Sequence, residues 1–198
     1  GAHAQVAMSY TIGEPYTPEY WKDRALRIQE LGADSICIKD MAGLMVPNVV
    51  TEFITMFKET VDIPIDLHTH STSGVAPITY YKAALAGVDI IDCAISPFSG
   101  GTSQPATETM AYAMGQFGYD SGLDMDKLKE IADFFVPVRK KFLDNGTLNP
   151  TVMGIKADIL KYQVPGGMLS NMIANLKDMH ALDKFDEALA EIPAVRKD

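Results

Sequence analysis

Basic charge is scarce in this chain: 17 Lys and Arg stand against 26 Asp and Glu, a formal net charge of -9 over 198 residues. No Lys/Arg cluster offers phosphates a footprint, which excludes nucleic acid and anionic membrane surfaces as partners. No apolar run approaches the roughly 18 residues that a membrane span needs, and no signal peptide is visible. A soluble protein is expected. Cysteine is sparse too. Cys37 and Cys93 both stand inside apolar, strand-like runs, where a cysteine acts as a small hydrophobe, and two of them build no disulfide framework. A reducing cytoplasm fits that usage. Apolar side chains are plentiful, 47% of the residues, enough for one well-packed core.

Three segments resemble one another: "GADSICIKD", "TVDIPIDLH" and "GVDIIDCAI", whose aspartates Asp34, Asp62 and Asp89 lie 28 and 27 residues apart. Each follows a helical pattern, "TPEYWKDRALRIQELG", "VPNVVTEFITMFKET" and "VAPITYYKAALAG", with Pro near the start and, in two of them, Gly past the end. The repeat unit is thus helix then strand. An earlier strand, "AQVAMSYT", makes four, and apolar strands alternating with helices imply a parallel sheet covered on its outer face. A (β/α) barrel is the natural closure, but eight units take roughly 250 residues, so about half a barrel is expected here. After Ser96 come a loop, "PFSGGTSQPATE", a helix from about Ala106, a longer one from Asp124 to about Asn145, and further helix through "GIKADILKY". Pro137 is expected to kink its helix, and "VPGGM" to interrupt the last stretch with a Pro-Gly-Gly turn. The division expected is residues 1–120 as barrel half and 121–198 as a helical layer on its mouth.

Two of only four histidines fall in one stretch, "IPIDLHTHST". If Ile63 to Leu67 is a strand, His68 and His70 project to one side at its C-terminal end, as a site for a borderline divalent ion would require. A bare His-x-His is as often two histidines in a polar loop, so a third ligand is needed. In parallel barrels the chemistry sits at the C-terminal strand ends, which here carry Lys39 with Asp40, His68 with His70, and Ser96. Lys39 ends an apolar strand, where an ammonium pointing inward is costly without a partner. It is either a salt-bridged or substrate-binding cation or, carbamylated by carbon dioxide, an anionic oxygen ligand. Asp40 either orients the site or caps a turn.

"IKDMAGL" around Lys39, "LHTHSTSG" around His68 and His70, and "SGGTSQP" around Thr102, in that order and spacing, resemble the carboxyltransferase domain of biotin-dependent enzymes. That family includes the B-type subunit of pyruvate carboxylase, the oxaloacetate decarboxylase alpha subunit and the transcarboxylase 5S subunit. "PGGMLSN" near Gly166 resembles the family's Pro-Gly-Gly segment less completely. The resemblance implies a TIM (β/α)8 barrel with a helical funnel at its mouth. It implies that Lys39 is carbamylated and with His68 and His70 holds a divalent metal (Zn, Co or Mn), and that Thr102 is a proton shuttle. It also implies pyruvate or oxaloacetate as substrate, and biotin carried on a separate domain or chain. A small hydroxyl suits proton transfer because it can donate and accept at one position; outside this resemblance Thr102 reads as a loop hydroxyl.

Other family features are not seen: the aspartate metal ligand of the first strand, and the arginine and glutamine that hold pyruvate. The chain is therefore expected to be an internal piece that opens before the fifth strand, completed by the N-terminal half of the barrel. Alone it should be inactive and should self-associate, a homo-oligomer being the expected assembly. Two rivals stand beside this reading. Synthases and lyases of the isopropylmalate synthase and hydroxymethylglutaryl-CoA lyase kind also carry His-x-His at a strand end, though they resemble "IKDMAG" with threonine for the lysine. The other rival is a non-catalytic half barrel.

Overall fold

A computed structural model of the chain describes residues 1–150, 153–157, 159–162 and 166–195. Four strands, β1 (Gln5–Ser9), β2 (Ser35–Asp40), β3 (Ile65–Thr69) and β4 (Ile90–Ile91), form one sheet in chain order, every pair parallel. Three helices make the crossovers: α1 (Pro18–Glu30), α2 (Pro47–Thr60) and α3 (Ala76–Leu85). Each begins with a proline in its first turn, where the missing N–H costs nothing, and Thr17 caps α1 by accepting the Tyr20 N–H at 3.2 Å.

Register sorts the strand residues into two layers. Ile36, Ile38, Ile65 and Leu67 share one face and are buried in a single cluster with Trp21 and Ala25 of α1, Val50, Phe53, Ile54 and Phe57 of α2, and Tyr80 and Ala83 of α3. Each fully buried aliphatic side chain contributes about 1.5–3 kcal/mol, so this layer anchors the sheet. The opposite face carries Gln5, Cys37, Lys39, Asp66 and His68: Cys37 pairs in register with Asp66 and Lys39 with His68, and Gln5 Nε2 donates to Asp66 Oδ2 at 3.2 Å. Covered outside by helices and polar within, the sheet has the two-sided character of a barrel wall. β1 and β4 are its edges.

Two of the three repeated aspartates close the strand starts. Asp34 Oδ2 accepts the Ala4 N–H at 2.7 Å, and Asp89 Oδ2 accepts the Ile65 N–H at 2.8 Å while Lys58 Nζ pairs with it at 2.7 Å. At Asp62 it is the main-chain N–H that is held, by Gln29 Oε1 at 2.7 Å.

The remaining described segments are helical: α4 (Thr107–Gln116), α5 (Met125–Asp144), α6 (Ile159–Tyr162), α7 (Gly166–Asp178) and α8 (Phe185–Val195). Asp124 caps α5 by accepting from the Asp126 and Lys127 N–H groups. Pro137 lies inside the continuous helix α5, while Gly166 and Gly167 fall inside α7 rather than in a turn. Val164 and Pro165 lie outside the described residues. Contacts tie this layer to the loops at the C-terminal strand ends. Phe98 packs edge-on against Phe135 of α5 at 5.7 Å between centroids, and the Lys156 N–H donates to Thr72 O at 2.7 Å. Gly101 sits so close to the same segment that a Cβ would stand 2.5 Å from Met153 O. Among the described residues no helix is long and apolar enough to cross a membrane.

Candidate metal centre

Lys39 and His68 are register partners on β2 and β3, so alternation turns both side chains to the polar face of the sheet. His70 follows two residues on, with its main-chain N–H bonded to Asp40 O at 3.0 Å. The two imidazoles meet: His68 Nε2 and His70 Nε2 are 3.2 Å apart. His70 Nδ1 lies 2.6 Å from Thr102 O, and a carbonyl only accepts, so the proton of neutral His70 is on Nδ1. His68 Nδ1 lies 2.8 Å from Asp92 Oδ2, and a carboxylate likewise accepts, so the proton of His68 is on Nδ1 as well. Both Nε2 atoms therefore present lone pairs to one another.

Two lone pairs at this distance repel, a repulsion relieved on the His68 side by the Gln104 amide N–H at 3.0 Å and relieved for both imidazoles by a bound cation. The cation can be a proton or a metal ion. Burial lowers the His70 pKa from its ordinary range, the Thr102 carbonyl only partly opposing this, which disfavours an imidazolium there at neutral pH. A divalent ion fits the donor set better: two neutral imidazole nitrogens, each oriented through its other nitrogen, are the usual arrangement for histidine ligands. Lys39 Nζ makes no hydrogen bond or ion pair among the described residues.

Thr102 reaches the centre through its main chain. Its loop is fixed internally, Gly100 N–H to Gln104 O at 2.8 Å and Ser103 N–H to Gly100 O at 2.9 Å, and is tied to the end of β3 by Ser71 N–H to Ser103 O at 2.7 Å. The Thr102 hydroxyl has no hydrogen-bond partner among the described residues.

Asp40, whose role the sequence leaves open, is a structural staple. It is fully buried, its Oδ1 accepting the Leu44 N–H at 2.9 Å and its Oδ2 accepting the Met45 N–H at 2.8 Å and the Thr69 hydroxyl at 2.9 Å. Ser96 is not at the strand end. β4 closes at Ile91, Ser96 opens a short 3-10 turn (Ser96–Phe98), and its N–H is taken by the Glu108 carboxylate. The fourth strand instead delivers Asp92. Gln104 also arrives, its Nε2 at 3.0 Å from His68 Nε2. Neither residue stands out in the sequence as a site residue, although alternation from Ile90 puts Asp92 on the polar face and "SGGTSQP" contains Gln104.

Deeper on the same face, Cys37, Asp66 and Asp92 bring their thiol and carboxylate atoms within 4.8 Å of one another. Burial, then the charges of Asp66 and Asp92, pushes the Cys37 thiol up to about 12, so it stays protonated and bonds to Asp66 rather than offering a thiolate. Burial and then the Asp92 charge raise Asp66 to about 6.

Comparison with known proteins bears on this geometry. The HMGL-like family model matches residues 3–135 and the conserved carboxylase domain model residues 159–198. The B-type subunit of pyruvate carboxylase from Methanocaldococcus jannaschii is 50% identical over 198 residues, spanning 100% of this chain and 35% of that protein. The methylmalonyl-CoA carboxyltransferase 5S subunit of Propionibacterium freudenreichii subsp. shermanii is 41% identical over 201 residues, 100% of this chain and 39% of that protein. The carboxyl transferase domain of Rhizobium etli pyruvate carboxylase, solved with pyruvate, superposes with a TM-score of 0.88 at 27% identity over 96% of this chain and 33% of that one. The chain spans about a third of the length of the curated relatives it matches.

Proposed function

The chain belongs to the HMGL-like family, its sheet and helices being part of a carboxyltransferase TIM barrel, and from that premise we propose that it carries the metal-bearing half of a biotin-dependent carboxyltransferase. The reaction proposed moves a carboxyl group between biotin and a 2-oxo acid of the pyruvate type. The observation that carries this reading is the pair of Nε2 lone pairs facing each other at 3.2 Å, each fixed by a partner on Nδ1. In this reading residues 1–120 are the barrel half and 121–198 the funnel layer. The remaining strands and a biotin-bearing carrier domain are its partners.

His68 and His70 would hold the ion (Zn, Co or Mn) through Nε2, and Lys39, as its carbamate, would add an anionic oxygen. The ion supplies positive charge that favours the negative charge developing on the substrate oxygen. The rest is the work of the chain itself. Asp92 and the Thr102 carbonyl hold the imidazoles in the ligand tautomer. Thr102 Oγ1 handles the proton. Pyruvate gains a carboxyl group and loses a methyl proton, while the biotin nitrogen loses the carboxyl group and gains a proton. A hydroxyl that gives one proton and takes the other serves both directions. Because the carbonyl and not the hydroxyl orients His70, shuttle and ligand holder are separable at one residue.

Metal content and carboxyl exchange, measured together in the full-length protein, test this. One divalent ion per chain is expected, lost in Lys39→Ala and His70→Ala. Thr102→Ala should keep the ion and lose transfer to pyruvate. Metal retained in both ligand variants, or substantial turnover in Thr102→Ala, overturns the assignments. Acyl transfer from a thioester in place of carboxyl transfer from biotin would identify the synthase and lyase branch instead.

A further inference from the structure

We infer that Gln104 is a substrate-contacting residue of this centre, donating from its side-chain amide to an oxygen of the 2-oxo acid bound beside the ion; the inference rests on the carboxyltransferase reading above. Its carboxamide is set on a fixed loop: the Gln104 carbonyl accepts the Gly100 N–H at 2.8 Å, and the next residue, Pro105, accepts the Ala94 N–H at 3.0 Å. The side chain is oriented as well. Ser103 Oγ donates to Gln104 Oε1 at 3.3 Å, which turns Nε2 toward the histidines, 3.0 Å from His68 Nε2.

That position decides what the amide can do. The His68 proton is on Nδ1, engaged by Asp92, so Nε2 is an acceptor and the Gln104 N–H is its donor in the absence of an ion. An ion bound to His68 takes the same lone pair. The amide N–H then loses its acceptor while remaining next to the ion. An N–H dipole is repelled by a cation and cannot ligate it, so the partner that gains most from this donor is an anionic oxygen gathered at the ion. A 2-oxo acid brings such oxygens, on its carboxylate and, once the methyl proton leaves, on its enolate. A part-buried donor of fixed direction is worth most where charge develops.

The test uses the full-length protein loaded with Mn2+, with oxalate as mimic of the enolate and pyruvate as substrate. Binding is read by water-proton relaxation and carboxyl transfer by kinetics. Gln104→Met keeps the bulk and removes the donor; Gln104→Ala removes both. Both should hold one Mn2+ per chain with affinity within twofold of the parent, bind oxalate about tenfold more weakly, and show a raised KM for pyruvate. The Met variant carries the test if the Ala variant does not fold. Mn2+ affinity falling together with oxalate affinity would make Gln104 an ion ligand, and unchanged oxalate affinity would show that it touches no substrate; either overturns the inference while the carboxyltransferase reading stands. Failure of the parent protein to bind oxalate or pyruvate would instead remove that reading, and this inference with it.

Discussion

Truncating Asp92 isolates the step that would turn two histidines into the proposed ligand pair. Its Oδ2 accepts from His68 Nδ1 at 2.8 Å, and the Asp92 side chain is 45% exposed. Loss of a group that orients a ligand histidine weakens metal binding by about 10- to 100-fold, and a half-solvated carboxylate belongs at the lower end. Asp92→Ala should therefore reduce affinity for Zn2+ or Mn2+ about tenfold, or ~1.4 kcal/mol. Asp92→Asn should lose less, because an amide oxygen still accepts from Nδ1. The main chain will stay in place: the Asp92 N–H donates to Leu67 O at 3.1 Å, and Tyr80 Oη donates to Asp92 O at 2.5 Å. Metal titration against a competing chelator, with thermal unfolding as the control for fold, is the assay. Affinities within twofold for Asp92→Ala, or a weaker Asn than Ala variant, would refute the tautomer argument.

Asp66 gives a pH signature in the metal-free protein. Its folded pKa, about 6, lies above its unfolded value of 3.8, so the folded state binds more protons between them and stability falls as pH rises from about 4 to 6. The loss is at most about 3 kcal/mol, and Asp66→Asn should flatten that limb in urea unfolding measured across the window. Asp40→Ala leaves the N–H groups of Leu44 and Met45 and the hydroxyl of Thr69 without their acceptor and should cost about 3 kcal/mol or more by the same method. Gly43→Ala places a Cβ 2.5 Å from His70 O at a backbone φ of +65°. It should lower the melting temperature and metal affinity together, because the atom it strikes belongs to a proposed ligand residue; metal affinity equal to the parent's would show that His70 does not depend on this contact.

The expected α/β alternation is found because its signals are local. Pro18, Pro47 and Pro77 open the three crossover helices, and the apolar runs that follow each become a strand of the parallel sheet. The His-x-His spacing was equally legible, since two residues apart on an extended chain means one side of it. The fourth unit shows where locality ends. "GVDIIDCAI" carries an apolar run long enough for a full strand, yet only Ile90–Ile91 pair, because the chain beyond is drawn off to bridge Ala94 with Ala106. That shift leaves Ser96 in the turn beyond the strand and puts Asp92 at the strand end. The sequence could name His68 and His70; it could not say which atoms would face each other. That was decided by partners 24 residues away at Asp92, 32 away at the Thr102 carbonyl and 36 away at Gln104. A tautomer is set by whatever stands opposite the other nitrogen, and only the closed fold determines what stands there.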